Sequence, residues 1–357
     1  MLTILKNNTA KESWEQILSR SIKRSDEIPS LSNKDKTNID AVVKKYPMLI
    51  NPYYLGLMEE PGSPLYKQAV PDIMEINDTR GYTDPLFEDV LSPVPGLTHK
   101  YPDRVLFLVS GECAMYCRFC NRKRKVGHDF MVSDNTIKEG LAYIKATKTV
   151  RDVLISGGDP LLLSDEKIKE ILTKIRSIEH VEIIRIGTRV PCTLPQRITS
   201  DLVEILNKFH PVYINTHFNH PSEITSLSAR ACNMLANAGI PLGCQTVLLK
   251  GINDDAEIIL ELMRKLLSIR VKPYYLFQTD LAKGTSHFWT PLEKGLGIMN
   301  NLQGILSGMG VPRFMIDLPE GGGKIPVLPE YIKGIKGDRL VIKNYRGLEY
   351  YYPIIKV

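Results

Sequence analysis

An open, partial (β/α)6 barrel, with an N-terminal helical extension and a short C-terminal extension, is the fold the sequence predicts. Three observations carry it. From Arg104 onward, short β-branched runs alternate with amphipathic stretches, a cadence that implies right-handed βαβ units and a parallel sheet. Six such units are too few for a complete eight-stranded barrel. No glycine-rich phosphate fingerprint follows the first strand, as a dinucleotide-binding fold would require.

Taken in order, residues 1–100 are polar and proline-interrupted. They predict helices around Ser13–Arg24 and Asn33–Lys44, then loop-like segments at NPYYLGLMEEPGSPLY (51–66) and LSPVPGLTHKYPDR (91–104). This stretch reads as a helical cap and wrapping arm. Residues 101–310 carry the barrel, with strands at 104–109, 152–155, 181–186, 212–215, 241–249 and 272–277. Between them, 164–178 and 254–269 place apolar residues at helical spacing. A helix near Pro291–Ser307 follows. Residues 311–357 form a C-terminal segment that opens with a short strand at 313–317.

The composition excludes several classes. Of 357 residues, 43% are hydrophobic and 24% charged, which rules out disordered, collagen-like and fibrous chains. A chain of this length buries roughly three quarters of its unfolded surface and needs no covalent staples. No apolar run approaches the ~18 residues of a spanning helix. The N-terminal apolar stretch is too short for a secretory signal, so a cytoplasmic protein is expected. Forty-six basic against forty acidic residues permit an anionic small molecule or RNA without demanding either.

In such a barrel, functional side chains sit at the C-terminal ends of strands. That rule selects Ser110–Cys120, then Ser156, Gly157, Gly158, Asp159 and Pro160, then Gly187, Thr188 and Arg189, then Asn215, Thr216 and His217, then Gln245, and last Gln278 and Asp280. His217 reads equally as a cofactor contact or a satisfied core histidine. The loop after the first strand, SGECAMYCRFCNRKRKVG (110–127), spaces Cys113, Cys117 and Cys120 as C-x3-C-x2-C. Clustered thiols in a long chain without an export signal point to a metal. Structural zinc wants four ligands in two pairs, whereas three thiolates can hold a 4Fe–4S cluster with one iron left open. Cys192, Cys232 and Cys244 are assigned to packing. The basic run Arg118, Arg122, Lys123, Arg124 and Lys125 has three readings: a solvated face, an RNA contact, or a clamp for a substrate carboxylate. The RNA reading lacks interleaved aromatics beyond Phe119, and nucleic acid is not an expected partner.

The cysteine spacing after the first strand resembles radical S-adenosylmethionine enzymes. That resemblance implies S-adenosylmethionine on the open iron, cleaved to a 5′-deoxyadenosyl radical, and an electron donor such as flavodoxin or ferredoxin. Ser156, Gly157, Gly158 and Asp159 look like the turn that receives its methionine amino group, the glycines letting backbone approach a ligand closely. Adding YPDRV (101–105), LPQRIT (194–199), NTHFNHP (215–221), PYYLFQTDL (273–281) and FMIDLPEGGGKIPVLPEY (314–331), nearly the whole chain resembles the lysine 2,3-aminomutase family.

The family resemblance implies roles position by position. Cys113, Cys117 and Cys120 bind the cluster. Lys324, which on its own reads better as a surface lysine than as a buried Schiff-base lysine, holds pyridoxal phosphate, with Tyr101 and Arg104 on its phosphate. Phe119, Arg189, His217 and Gln245 contact cofactors. Arg122 pairs with the substrate α-carboxylate, and Asp280 and Asp317 grip a distal ammonium. The implied activity is that of an isomerase. It converts a free cationic L-α-amino acid, L-lysine foremost, to its β-amino isomer through the radical and a pyridoxal phosphate aldimine. Arginine as substrate, modification of protein-bound lysine or RNA, and a purely electron-transferring iron–sulfur protein are the alternatives. A homo-oligomer is expected.

The chain also departs from the family's pattern. Asp255 stands where zinc-binding relatives have cysteine, and no cysteine follows Cys244, so zinc is not expected. Phe119 replaces histidine, Phe277 tyrosine, and Lys100 an arginine near pyridoxal phosphate. Glu320 replaces a glycine, and as a second negative charge near the substrate tail it favours arginine as a rival to lysine.

Overall fold

The computed structural model describes residues 12–28, 31–127 and 132–355. The N-terminal apolar stretch weighed above as a leader lies outside them. One sheet runs in chain order: β1 (Leu97–Tyr101), β2 (Arg104–Ser110), β3 (Asp152–Gly157), β4 (Ile183–Gly187), β5 (Val212–Thr216), β6 (Leu242–Leu248), β7 (Lys272–Gln278), β8 (Arg313–Leu318) and β9 (Gly323–Pro326). β2 through β8 are parallel, while β1 and β9 flank them antiparallel. Apart from a short helix at Trp14–Ser19, the first longer helix is α1 (Asn33–Val43). Six helices make the crossovers: α2 (Asp134–Ala146), α3 (Asp165–Arg176), α4 (Ser200–Asn207), α5 (Ser226–Asn237), α6 (Ala256–Ser268) and α7 (Leu292–Leu302). The six expected βα units are present, and the expected strand at 313–317 joins them as a further parallel strand.

Local chemistry explains where the helices begin. Ser133, Ser164, Thr199, Thr225 and Asp255 each precede a crossover helix and accept a hydrogen bond from a first-turn N–H. Such caps are worth about 1 kcal/mol apiece. Asp255 is thus a helix cap. α3 buries Ile168, Ile171, Leu172 and Ile175, and α6 buries Ile259, Leu262, Met263 and Leu266, each from one face.

Strand alternation divides the interior in two. Phe107, Ile155, Ile186, Ile214 and Cys244 face the helices and build the core. Their neighbours Leu106, Leu154, Arg185, Asn215 and Gln245 face inward and line a cavity. A complete barrel fills that space with layers of branched aliphatic side chains. Here arginine, asparagine and glutamine stand in it, and it stays hollow.

Two expectations are revised, and the C-terminal segment gains detail. LTHKY, read as loop, forms β1, because the prolines at 93, 95 and 102 flank it and leave its own N–H groups free to pair with β2. The first helix ends at Ser19, since Ile22 bridges Ile50 instead of continuing the helical turn. The C-terminal segment folds into an antiparallel sheet of β10 (Ile332–Lys336), β11 (Arg339–Lys343) and β12 (Glu349–Pro353), turned at Gly337 and Gly347 with positive φ.

The arm lies across the barrel mouth. Ile50 bridges Met115 in the cysteine loop, and Tyr82 bridges Ala282 after β7. β1 and β9 share no backbone ladder, but side chains span the gap between the sheet's ends. The Lys324 N–H donates to the Tyr101 hydroxyl at 2.9 Å, and Lys100 Nζ donates to Asp317 at 3.2 Å.

Candidate active site

The inward-facing side chains and the loops at the C-terminal strand ends enclose a cavity of about 770 Å³. Its walls include the cysteines Cys113, Cys117 and Cys120, and the turn Ser156, Gly157, Gly158 and Asp159. Tyr101, Arg104, Phe119, Arg122, Arg189, His217, Gln245, Asp280, Asp317 and Lys324 complete the set chosen from sequence, all on this one cavity.

The three thiols are free and half-buried on one loop. Burial pushes the Cys120 thiol up to about 11 and the Cys113 thiol well above its ordinary value, with neighbouring sulphurs adding to both. Burial thus favours the protonated form of both, and a bound metal would have to displace those protons. Arg189 Nη1 donates to Cys117 Sγ at 2.8 Å, a setting made for a negative sulphur. Among the described residues, no three His, Cys, Asp or Glu side chains converge on one ion.

The glycine turn serves this loop. Gly158 N donates to the Ser110 carbonyl and Asp159 N to the Glu112 carbonyl, both at 2.6 Å. A Cβ on Gly157 would meet Ser110 O at 2.2 Å, and one on Gly158 would meet Glu112 O at 2.2 Å. The close approach expected of these glycines is thus made to the cysteine loop's own backbone. Asp159 is likewise occupied: its carboxylate accepts from Thr188 Oγ1 and from the N–H groups of Leu161, Arg189 and Val190. Burial nonetheless raises it to about 6. It ties the β3 turn to the β4 turn.

Arg189 is the hub behind the thiols. Its Nη2 donates to Gln68 at 2.7 Å and to buried Glu223 at 2.8 Å. Its guanidinium also lies 5.2 Å from the Phe119 ring centre. Phe119 meets Phe288 edge-on and tilts against His217. Burial and the Arg189 charge press His217 down to about 3, so it is neutral, and its Nε2 contacts Asn219 Oδ1 at 2.8 Å.

At the β7–β9 side, acids and lysines meet. Asp280 accepts from Asn121 Nδ2 at 2.8 Å. Burial, together with the charge of Asp317, raises it to about 6. Asp317 holds Lys100 through one oxygen and Lys324 through the other, the latter at 2.5 Å. Lys324 Nζ also sits 5.6 Å over the Phe277 ring. Two expectations change here. Lys324 is not a buried lysine, for 32% of its side chain is exposed, and its setting is made by Asp317 and Phe277. Glu320 is exposed, at φ 56°, and does not line the cavity, so it adds no charge there and the argument for arginine loses its footing. Lys100 faces Asp317.

The basic run is paired throughout with acids of the arm. Arg118 and Lys123 close on buried Glu75, Arg122 on Glu88, Arg124 on Asp84 and Asp89, and Lys125 on Asp89. Neither a solvated face nor an RNA contact describes it.

Sequence reading missed Glu75, Glu88, Asn121, Tyr274 and Tyr275. The two tyrosines stack at 3.8 Å and both line the cavity, although strand neighbours normally face opposite ways. A register shift between β6 and β7 beside Pro273 re-aims them. Proline inside a central strand was the available signal.

The residues present fit the expected groups. Asn215 Nδ2, Thr216 Oγ1 and Gln278 Oε1 are buried without a hydrogen-bond partner on the cavity wall, as if reserved for polar ligand atoms. The volume lies in the range of cofactor sites.

Residues 107–263 match the family described as the radical SAM superfamily, and residues 299–355 that described as lysine-2,3-aminomutase. The L-lysine 2,3-aminomutase of Clostridium subterminale is 50% identical over 89% of this chain and 77% of its own length. That of Methanococcus maripaludis is 49% identical over 96% of this chain and 82% of its own. Glutamate 2,3-aminomutase of Clostridioides difficile is 45% identical over 90% of this chain and 76% of its own.

Proposed function

The chain belongs to the lysine 2,3-aminomutase family, and on that premise we propose that it converts free L-lysine to its β-amino isomer. It is an isomerase of the radical S-adenosylmethionine class, with a 4Fe–4S cluster, S-adenosylmethionine and pyridoxal phosphate as cofactors. When bound, the first two supply a hydrogen-abstracting radical and pyridoxal phosphate a group that lets nitrogen move between unactivated carbons.

The observation that carries lysine is the pair Asp280 and Asp317, two carboxylates close enough to raise Asp280 and lining one cavity with Arg122. A carboxylate pair favours a distal ammonium and repels the second carboxylate of glutamate. Since the glutamate-specific relative is nearly as similar overall, these acids support the choice better than identity does. In this reading Cys113, Cys117 and Cys120 hold the cluster and Lys324 carries pyridoxal phosphate, with Tyr101 and Arg104 at its phosphate. Arg122 holds the substrate carboxylate. Gripping both ends of the substrate fixes C3 against the radical, where a small misplacement costs orders of magnitude in rate.

The same reading takes in a cytoplasmic protein, a flavodoxin or ferredoxin as electron donor, and self-association. No helix of the described residues is long and apolar enough to cross a membrane. Anaerobic turnover of L-lysine by the reconstituted enzyme, followed by chiral chromatography, is expected to yield β-lysine. Absence of any isomer alongside 5′-deoxyadenosine formation would overturn the substrate and leave the radical chemistry standing.

A further inference from the structure

Glu88 lies on the arm, outside the barrel, yet it is only 4% exposed and its carboxylate reaches the cavity wall. It sits side-on against Arg122. Nε donates to both carboxylate oxygens at 2.9 Å, and Nη2 donates to Oε1 at 2.7 Å. A guanidinium has two edges that can each take a carboxylate. Glu88 fills the edge made by Nε and Nη2, which leaves the end-on edge of Nη1 and Nη2. Arg122 keeps 17% of its side chain exposed and lines the cavity.

The arm is built to hold Glu88 there. Its neighbour Phe87 has φ 56°, a left-handed conformation that is an outlier for a bulky side chain and persists only where the surrounding structure enforces it. Asp84 and Asp89, on either side of Glu88, pair with Arg124 and Lys125 and tie the same turn to the cysteine loop.

We propose that Glu88 is a positioning residue, which fixes the Arg122 guanidinium so that its end-on edge receives the α-carboxylate of the amino-acid substrate. The proposal rests on the aminomutase reading above. A long cationic side chain held by one carboxylate has little freedom left to lose when it meets a second.

The test compares binding of L-lysine with that of 1,5-diaminopentane, which is lysine without its carboxylate. Both are titrated calorimetrically into enzyme loaded with cluster and pyridoxal phosphate, S-adenosylmethionine being withheld to prevent turnover. Glu88→Gln is expected to weaken L-lysine roughly tenfold to a hundredfold, the scale of a charge-assisted bond, and to leave diaminopentane unchanged. Glu88→Asp is expected to show a smaller loss, again for lysine alone. Tighter lysine binding by Glu88→Gln would make Glu88 a competitor of the substrate and overturn the proposal. Equal loss for both ligands, or none, would overturn it too. Should Glu88→Gln fail to fold, Glu88→Asp decides on the same criterion. Arg122→Gln separates the two levels. If it leaves the lysine-to-diaminopentane ratio unchanged, the assignment of Arg122 to the carboxylate fails, whatever Glu88 does.

Discussion

Asp317 and Lys324 are register partners on β8 and β9, and their side chains close at 2.5 Å within the cavity. The pair joins the residue assigned to pyridoxal phosphate to one assigned to the substrate tail. Asp317 holds Lys100 through its other oxygen. A cationic substrate must therefore compete for Asp317 with two lysines, and covalent use of Lys324 removes one of them.

Lys324→Ala should abolish covalent attachment of pyridoxal phosphate. Borohydride treatment of the loaded protein and peptide mapping would place the label on Lys324 in the wild type and on no lysine in the variant. A label retained elsewhere in the cavity would reject the assignment.

Asp317→Asn should raise the Michaelis constant for L-lysine roughly tenfold to a hundredfold, as expected for a lost charge-assisted contact, without changing cluster iron content. Unchanged kinetics would remove Asp317 from the substrate site.

Asp280 supplies a pH dependence of defined sign. It is raised to about 6 by burial and by Asp317, and only its ionised form attracts an ammonium. Lysine binding should strengthen as pH rises through about 6 and level off above it. Asp280→Asn should flatten that rise. Calorimetry from pH 5 to pH 8 brackets the change, roughly two units above the ordinary aspartate value.

Gly158→Ala places a methyl where the Glu112 carbonyl stands 2.2 Å away, backbone against backbone. The β3 turn and the cysteine loop would have to separate. The expected result is loss of iron uptake on reconstitution with the barrel still folded, read by iron assay and circular dichroism.

Glu75 anchors the cysteine loop from behind. Burial acts to raise it, but Arg118 and Lys123 hold it at about 2. Its charge therefore stabilises the fold at neutral pH, and that contribution fades as pH falls from the ordinary carboxylate range toward 2. Glu75→Gln leaves two buried cations without a counter-charge and should cost about 3–5 kcal/mol in denaturant melts at neutral pH. The variant should differ less from wild type in acid.

The barrel was legible because its strands are β-branched runs and its crossover helices start at Ser, Thr or Asp caps, both local signals. β1 escaped because three prolines around it suggested a loop, although they bound a pairing-competent stretch. The cavity candidates were legible as motifs, and the strand-end rule gathered them without geometry. What stayed hidden is long-range pairing. Nothing near Glu88 in the chain announces Arg122, 34 positions on, and nothing near Glu75 announces Arg118. The basic run could be read only as charge until the arm's acids were found upon it. Glu320 misled because Asp317 and Lys324, on either side of it in sequence, line the site, while Glu320 itself is exposed in a turn at φ 56°.

The most direct test of the account offers the reconstituted enzyme an equimolar pool of L-lysine, L-arginine and L-glutamate. It is run anaerobically with reductant, S-adenosylmethionine and pyridoxal phosphate, and β-amino isomers are resolved by chiral separation and mass spectrometry. β-Lysine as the dominant product is predicted. Dominant β-glutamate or β-arginine would contradict the reading of Asp280 and Asp317 as an ammonium clamp.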